Sequence, residues 1–403
     1  MLTRDTLLAR LLPQGDSSHI AHELTRMGCQ APETVLAASD QHVVYKLLDV
    51  PCPTARLFLT WWQQYGPEAW SYCTGGTTGD TCELLVGGSA ALFNRVRGEQ
   101  APGLQPIVAA LDAARRLQAQ APWSLALGTH VYDVQQRTAL MGILNVTPDS
   151  FSDGGLYLQP AQALKHAETM LTAGADLIDV GGQSSRPGAA PIPAALEQAR
   201  VVPVIRDLVQ RSGAVVSIDT YRASVAAAAL DAGAVLVNDI SAMTFDAQMA
   251  PLIARRGAAV VLMHMQGTPQ TMQRTPSYRH VLDEVYRFLA ERLHCAMQHG
   301  IPRHKILLDP GFGFGKTVQH NLALLHGLEQ FAALGQPLLV GTSRKSFLGH
   351  LLQRHVGDRL EGTLATVMYA VLHGAAMVRV HDVAPVAQTV RLVEALKQSG
   401  SHV

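Results

Sequence analysis

From Thr138 onward the chain alternates between two patterns. Short runs of consecutive apolar, largely β-branched residues end in Gly, Pro, Asn or Asp, and each is followed by a longer stretch whose apolar positions recur every three or four residues. The first pattern suits a strand buried on both faces and the second an amphipathic helix, so together they read as parallel βα units. Strands are predicted over Ala139 to Val146, Asp176 to Gly181, Ala214 to Thr220, Val235 to Ile240, Ala258 to Met265, Ile306 to Pro310, Pro337 to Ser343 and Met377 to Asp382. Helical stretches begin near Ala161, Pro193, Arg222, Ala247, Tyr278, His320 and Glu361, with a last one from Val383 to Gln398. Several close on a glycine, among them Gly213 and Gly257, where a left-handed cap costs that residue least.

Eight such units over residues 137–403 match the arithmetic of a (β/α)8 TIM barrel, in which chemistry gathers at the C-terminal ends of the strands. A doubly wound sheet shares the periodicity. The count and a polar group at every strand end favour closure: Asn145, the turn Gly181 to Arg186, Asp219, Asn238-Asp239, His264, Asp309, Ser343 with Lys345, and Arg379 with His381. Residues 1–136 read differently, as a smaller α/β domain. Helices are predicted over Thr6 to Leu12, Ser18 to Met27, Ala55 to Tyr65, Ala90 to Arg97 and Leu104 to Gln120, and strands over Val43 to Leu48, Trp70 to Cys73 and Glu83 to Val86. Pro102-Gly103 and Ala121-Pro122-Trp123 are the expected joints.

Composition narrows the function classes. Of the 403 residues, 48% are hydrophobic and 16% charged, which excludes a disordered chain. Basic and acidic residues tie at 32, with no clustered basic face, so no nucleic-acid partner is expected. The N-terminus carries Asp5 and Arg10 within its apolar stretch and lacks a small-residue cleavage site, and no later apolar run reaches a membrane span. The five cysteines contain no tight C-x-x-C pair, which suits free thiols and a cytoplasmic location.

The strand ends supply candidate chemistry. Asn145 offers one hard oxygen to Mg²⁺, or simply caps its turn. In a barrel Asp219, Asn238 and Asp309 converge on the axis, where a carboxylate can accept two N–H bonds from an amidine-like edge such as a 2-amino-4-oxo-pteridine; as isolated residues they could equally be turn caps. Arg186, Lys345, Arg379 and His381 bring positive charge suited to a phosphate or diphosphate. His264 reads as a packed core histidine. Gly311 to Thr317 fails as a phosphate-cradling G-x-x-x-x-G-K-T motif because residue 310 is proline, and its glycines suit a tight βα loop. In the first 136 residues, the apolar helix face with Phe58, Trp61, Trp62 and Tyr65 is expected to be core or a docking surface.

Taken in order, several segments resemble those of the dihydropteroate synthase family: Met141-Gly-Ile-Leu-Asn-Val-Thr-Pro-Asp-Ser-Phe-Ser-Asp-Gly-Gly155, Gly181-Gly-Gln-Ser-Ser-Arg-Pro-Gly188, Ser217-Ile-Asp-Thr220, Val237-Asn-Asp-Ile240, Leu262-Met-His-Met-Gln-Gly267, Leu308-Asp-Pro-Gly-Phe-Gly-Phe-Gly-Lys316, Gly341-Thr-Ser-Arg-Lys-Ser346 and Arg379-Val-His-Asp382. The resemblance implies a transferase of folate biosynthesis that joins 6-hydroxymethyl-7,8-dihydropterin diphosphate to 4-aminobenzoate. By the same resemblance, Asp219, Asn238, Asp309 and Lys345 hold the pterin, with Ile240 and Met263 lining its slot. Asn145 binds Mg²⁺ on the diphosphate, which Arg379 and His381 grip. Phe151, Ser185, Arg186, Pro187, Phe312 and Ser343 border the aminobenzoate side, and the loops through Asp149 to Gly155 and Gln183 to Ala190 close over the site. Asp219, Lys345 and Arg379 carry the chemistry, and a homodimer is expected. Gln183 departs from the family, which has Glu there. Residues 1–136 are similar to an extension on some longer bacterial members. A corrinoid methyltransferase of the same superfamily would not need the contacts of Ser343 to Lys345 and Arg379 to His381, and a pterin-binding protein without turnover is the other rival.

Overall fold

The computed structural model describes residues 7–12, 17–30, 32, 42–66, 69–74, 80–96, 102–119, 124–134, 136–146 and 159–399. The chain forms two compact units, one of Met1–Ala121 with Glu329–Gly335 and the other of Pro122–Leu328 with Gln336–Val403.

The first unit is built on a four-stranded antiparallel sheet, β1 (Leu8–Leu11), β2 (Val43–Pro51), β3 (Ala69–Cys73) and β4 (Thr81–Gly88), in the order β1-β2-β4-β3. Its helices are α1 (Ser17–Arg26), α2 (Cys52–Gln63), α3 (Ala90–Arg95) and α4 (Gln105–Ala119). Residues 8–11 form a strand where the run Leu-Leu-Ala-Arg-Leu-Leu predicts a helix. A run of that length fits either state, and pairing with β2 decides it. That pairing sets Arg10 opposite Lys46, two fully buried cations, with the Glu23 carboxylate 3.0 Å from each. Phe58 and Trp62 of α2 are fully buried and stacked, with ring centroids 5.3 Å apart, so this helix face is core.

The second unit contains the expected closed barrel. Strands β7 (Ala139–Asn145), β8 (Leu177–Gly181), β9 (Val216–Asp219), β10 (Leu236–Asp239), β11 (Ala259–Met263), β12 (Ile306–Asp309), β13 (Leu338–Val340) and β14 (Ala375–Val380) pair in parallel, each with the next, and β14 returns to β7. Outside them run α5 (Gln159–Thr172), α6 (Ala194–Ser212), α7 (Ala223–Asp231), α8 (Met249–Arg256), α9 (Val281–Gln298), α10 (Val318–His326), α11 (Ser346–Leu352), α12 (Leu360–Leu372) and α13 (Val383–Ser399). Gly213 and Gly257 take the expected left-handed caps.

One element was not legible in the pattern. The hairpin β5 (Ser124–Leu127) and β6 (His130–Asp133) packs Leu125, Leu127 and Val134 against Ala139, Met141, Leu177, Val215, Leu236 and Ala259, at the N-terminal ends of the barrel strands. Two fully buried leucines contribute about 1.5–3 kcal/mol each, and they attach the hairpin to the barrel. The two units divide at 121/122, at the expected joint Ala121-Pro122-Trp123, so the hairpin belongs with the barrel although the sequence places it in residues 1–136.

Candidate functional site

Register brings the predicted residues together. Asn145 pairs with Gly181, Gly181 with Asp219, and Asp219 with Asn238, so the ends of four successive strands lie level at the C-terminal rim. Met263 of β11 pairs with Asp309 of β12 farther round. A Cβ at Gly181 would stand in van der Waals contact with both groups, 3.4 Å from Asn145 Oδ1 and 3.7 Å from Asp219 Oδ2.

An ion network crosses this mouth. Arg379 of β14 donates from Nε to Asp179 Oδ2 at 2.6 Å and from Nη2 to Asp219 Oδ2 at 2.7 Å. Asn238 Nδ2 donates to the same Asp179 oxygen at 2.9 Å. Asp179, fully buried in the middle of β8, is thus the hub that orients two predicted residues, and sequence reasoning missed it. Its signal was an ionisable residue inside Leu177-Ile-Asp-Val-Gly181, because a charge in a buried strand needs a partner. Burial opposes the charge on Arg379, yet Asp179 and Asp219 hold its guanidinium above the usual value. Burial pushes the Asp219 carboxyl up to about 7 against the pull of Arg379, with Asp179 adding to the rise.

Asp309 is buried, accepts the Gly311 N–H at 2.7 Å and is raised by burial to about 6. Half-buried Lys345 sets its ammonium 4.1 Å from the centroid of the Phe314 ring, and burial brings it down to about 8. Its stem runs over Gly313, where a Cβ would lie 3.1 Å from Lys345 Cδ. Ile240 and Met263 form one apolar cluster with Met272 and Phe314, flanked by Tyr221 and Met265. Phe312 is not a member of that cluster and is fully buried, 1% exposed.

His381 is not the cation that its place in the sequence suggests. Burial first, and then the neighbouring Arg379 and Arg344, lower it to about 3, so its ring is neutral. The His381 backbone N–H donates to Ser343 Oγ at 3.2 Å, and that hydroxyl lies 3.1 Å from Nδ1. With the Ser343 proton directed to Nδ1, the ring proton is assigned to Nε2.

On the loop after β8, Ser185 is half-buried while Arg186 and Pro187 are exposed. Gln183 ties this loop down: its Nε2 donates to the Tyr221 hydroxyl at 2.6 Å and its Oε1 accepts the Ile192 N–H at 3.1 Å. The Gly188 N–H donates to the Pro269 carbonyl at 3.0 Å. Phe151 and the loop Asp149 to Gly155 lie outside the described residues.

The glycine-rich stretch after β12 is a folded βα loop, as its proline implies. Gly311, at φ 72°, passes so close to β11 that a Cβ would sit 1.9 Å from the His264 carbonyl oxygen. Lys316 points inward and donates to the carbonyls of Phe314 and His264 at 3.0 and 3.3 Å, with His264 Nδ1 2.9 Å away. His264 is the packed histidine expected, its ring edge-on to Phe288.

An arginine held between two carboxylates, one further acid and two amides at one rim, and an apolar slot beside them define a (β/α)8 enzyme site for a flat, polar-edged heterocycle. The family model of pterin binding enzymes matches residues 141–381. The chain belongs to the dihydropteroate synthase family. It is 44% identical over 287 residues to the dihydropteroate synthase of Synechocystis sp., covering 71% of this chain and 99% of that one. It is 46% identical over 256 residues to that of Escherichia coli K12, covering 64% and 90%. Among solved structures, a Yersinia pestis dihydropteroate synthase with a sulfonamide drug superposes with a TM-score of 0.65 at 44% identity, covering 68% of this chain and 99% of that one. A Xanthomonas albilineans dihydropteroate synthase with 4-aminobenzoic acid gives 0.65 at 39% identity, covering 69% and 99%. Since these relatives are matched over almost their whole length, the remaining part of this chain has no counterpart in them.

Proposed function

We propose that this chain condenses 6-hydroxymethyl-7,8-dihydropterin diphosphate with 4-aminobenzoate to give 7,8-dihydropteroate and diphosphate, a transferase step of folate biosynthesis. The observation that carries the reading is the Asp179–Arg379–Asp219 network standing level with Asn238 and next to the Ile240–Met263 slot. Asp219 and Asp309 each keep an oxygen for the amino edge of the pterin, Asn238 keeps its amide oxygen, and Lys345 donates to a ring acceptor. The arginine N–H groups not engaged by carboxylates and the His381 Nε2–H donate to diphosphate oxygens, the histidine as a neutral donor.

The single hard oxygen of Asn145 fits a Mg²⁺ ion held mainly by diphosphate oxygens and water, and the neighbouring Gly181 puts no side chain against that oxygen. When bound, Mg²⁺ would take up charge that develops on the leaving diphosphate. Departure of diphosphate leaves a methylene cation conjugated with the pterin, which ionised Asp219 stabilises electrostatically. The arylamine of 4-aminobenzoate, neutral at pH 7, attacks without a protein nucleophile. Ser185, Arg186, Pro187, Phe312 and Ser343 border its approach, and the loop fixed by Gln183 helps to exclude water from the cation. We place the reaction in the cytoplasm; among the described residues no helix is long and apolar enough to cross a membrane. Exposed Met368 and Leu372 on α12 and Leu392 and Leu396 on α13 give two neighbouring helices an apolar face suited to a second copy, supporting a homodimer. The N-terminal unit is an added domain on this catalytic barrel.

Titration of the purified chain with the pterin diphosphate tests the site. Asp219→Asn and Asp309→Asn each remove a charge-assisted bond of about 1.5–3 kcal/mol and should weaken binding at least about tenfold. Unchanged affinity in both would place the pterin elsewhere.

A further inference from the structure

The first unit contains a chemistry-bearing cluster that the condensation does not use. Cys73 of β3 and Cys82 of β4 hold their sulfurs 2.9 Å apart. Cys52, the first residue of α2, is close enough for its thiol to hydrogen-bond that of Cys82. The strand register explains the approach. Cys73 pairs with Leu84, so Cys82, two residues before Leu84, shares its face and lies on the diagonal of the antiparallel pair.

The two thiols are not equivalent. Cys82 is buried, 6% exposed, whereas Cys73 is half-buried and reachable from solvent. The hydrogen bond from Cys82, helped by the Arg56 guanidinium, holds the Cys73 thiol below the usual value, while the same contact and burial raise Cys82. An accessible thiolate backed by a buried thiol is the division of labour between a peroxidatic and a resolving cysteine. Among the described residues no group of three or more His, Cys, Asp or Glu is placed to hold a metal ion.

We infer that Cys73 and Cys82 form a hydroperoxide-responsive dithiol, with Cys73 the thiol first oxidised and Cys82 the thiol that resolves it. In the first step the Cys73 thiolate attacks the peroxide O–O bond, giving a sulfenic acid and releasing hydroxide or alkoxide. In the second the Cys82 sulfur displaces the sulfenic oxygen, forming the disulfide and water, so two electrons pass from the thiols to the peroxide. A diagonal cross-strand bridge sits at the outer edge of relaxed disulfide geometry, where bonds are readily reduced again. The pair therefore suits a reversible modification better than a permanent staple.

The arrangement of cleavage sites makes the test clean. Between Arg56 and Arg95 there is no lysine or arginine, so Cys73 and Cys82 share one tryptic peptide while Cys52 lies on the preceding one. After brief treatment of the full-length chain with hydrogen peroxide and alkylation, that peptide should appear unalkylated and lighter by two hydrogens. A thiol reductant should restore it. The Cys82→Ser variant should instead accumulate a Cys73 sulfenic acid that a 1,3-dione captures, about tenfold faster than Cys295 is labelled. Labelling of Cys73 no faster than of Cys295, a dominant link from Cys52 to the longer peptide, or stoichiometric Zn²⁺ binding that protects all three thiols would each overturn the inference.

Discussion

Replacing Asp179 with Asn isolates the charge at the centre of the network. The carboxylate accepts from Arg379 Nε at 2.6 Å and from Asn238 Nδ2 at 2.9 Å, and it is fully buried. An amide oxygen can keep both bonds, but Arg379 then loses one of its two ion-pair partners. Hydrogen bonds to charged groups contribute about 1.5–3 kcal/mol each, so weakening both should remove roughly 2–3 kcal/mol of transition-state binding. At about 1.4 kcal/mol per factor of ten, kcat/KM for the pterin diphosphate should fall about 30- to 150-fold. Asp179→Ala leaves a buried guanidinium partly unpaired and should also destabilise the protein by about 3–5 kcal/mol. The assay is diphosphate release against pterin concentration over a range of pH, with thermal melting alongside. Because the Asp179 charge helps to raise Asp219, the Asn variant should also shift the acid limb of the pH profile to lower pH, which a merely structural defect would not do. A kcat/KM within twofold of the unaltered chain, with an unmoved acid limb, would refute the assignment of Asp179 as the hub.

Five further outcomes follow from the geometry. Asp219 and Asp309 sit near 7 and 6 in the ligand-free site, so pterin binding, which needs their ionised forms, should weaken as pH falls through that range. Linkage gives the ligand-free protein the opposite trend. Both carboxyls are raised above their ordinary value near 3.8, so their contribution to folding is complete below that value and is lost as pH rises through 6 to 7; melting temperatures should show it. Gln183→Ala removes both bonds that fix the loop after β8, about 1–2 kcal/mol together, and should raise the KM for 4-aminobenzoate about 5- to 30-fold, while Gln183→Glu, with Tyr221 donating, should retain most of the activity. Gly311→Ala forces a Cβ to 1.9 Å from a carbonyl oxygen at positive φ and should cost more than about 4 kcal/mol, read as a drop in melting temperature of roughly 10 °C or more. Asn145→Ala should raise the Mg²⁺ concentration needed for half-maximal turnover, measured by metal titration, with little change in melting temperature.

The barrel was legible because each of its strands is a buried, largely apolar run that ends in or leads directly into polar residues, and Asp219, Asn238 and Asp309 stand at such ends. Asp179 was not, since it lies two residues short of its strand end, where pattern reading attends to apolar neighbours rather than to the cost of burying a charge. The neutral state of His381 was equally hidden: it depends on burial and on Arg379 and Arg344, which only the closed barrel brings near. The β5–β6 hairpin escaped because four-residue strands carry too few positions to show an alternation. Strand β1 reversed the expectation of a helix because its partner, not its own sequence, selects the extended form.

Diphosphate release by the purified full-length chain, given the pterin diphosphate, 4-aminobenzoate and Mg²⁺ with each omitted in turn, tests the functional claim most directly. Stoichiometric 7,8-dihydropteroate and diphosphate are expected only when all three are present, and both products should be lost in Asp219→Asn. Tight binding of the pterin diphosphate with no release under any combination would contradict it and leave the rim as a binding site alone.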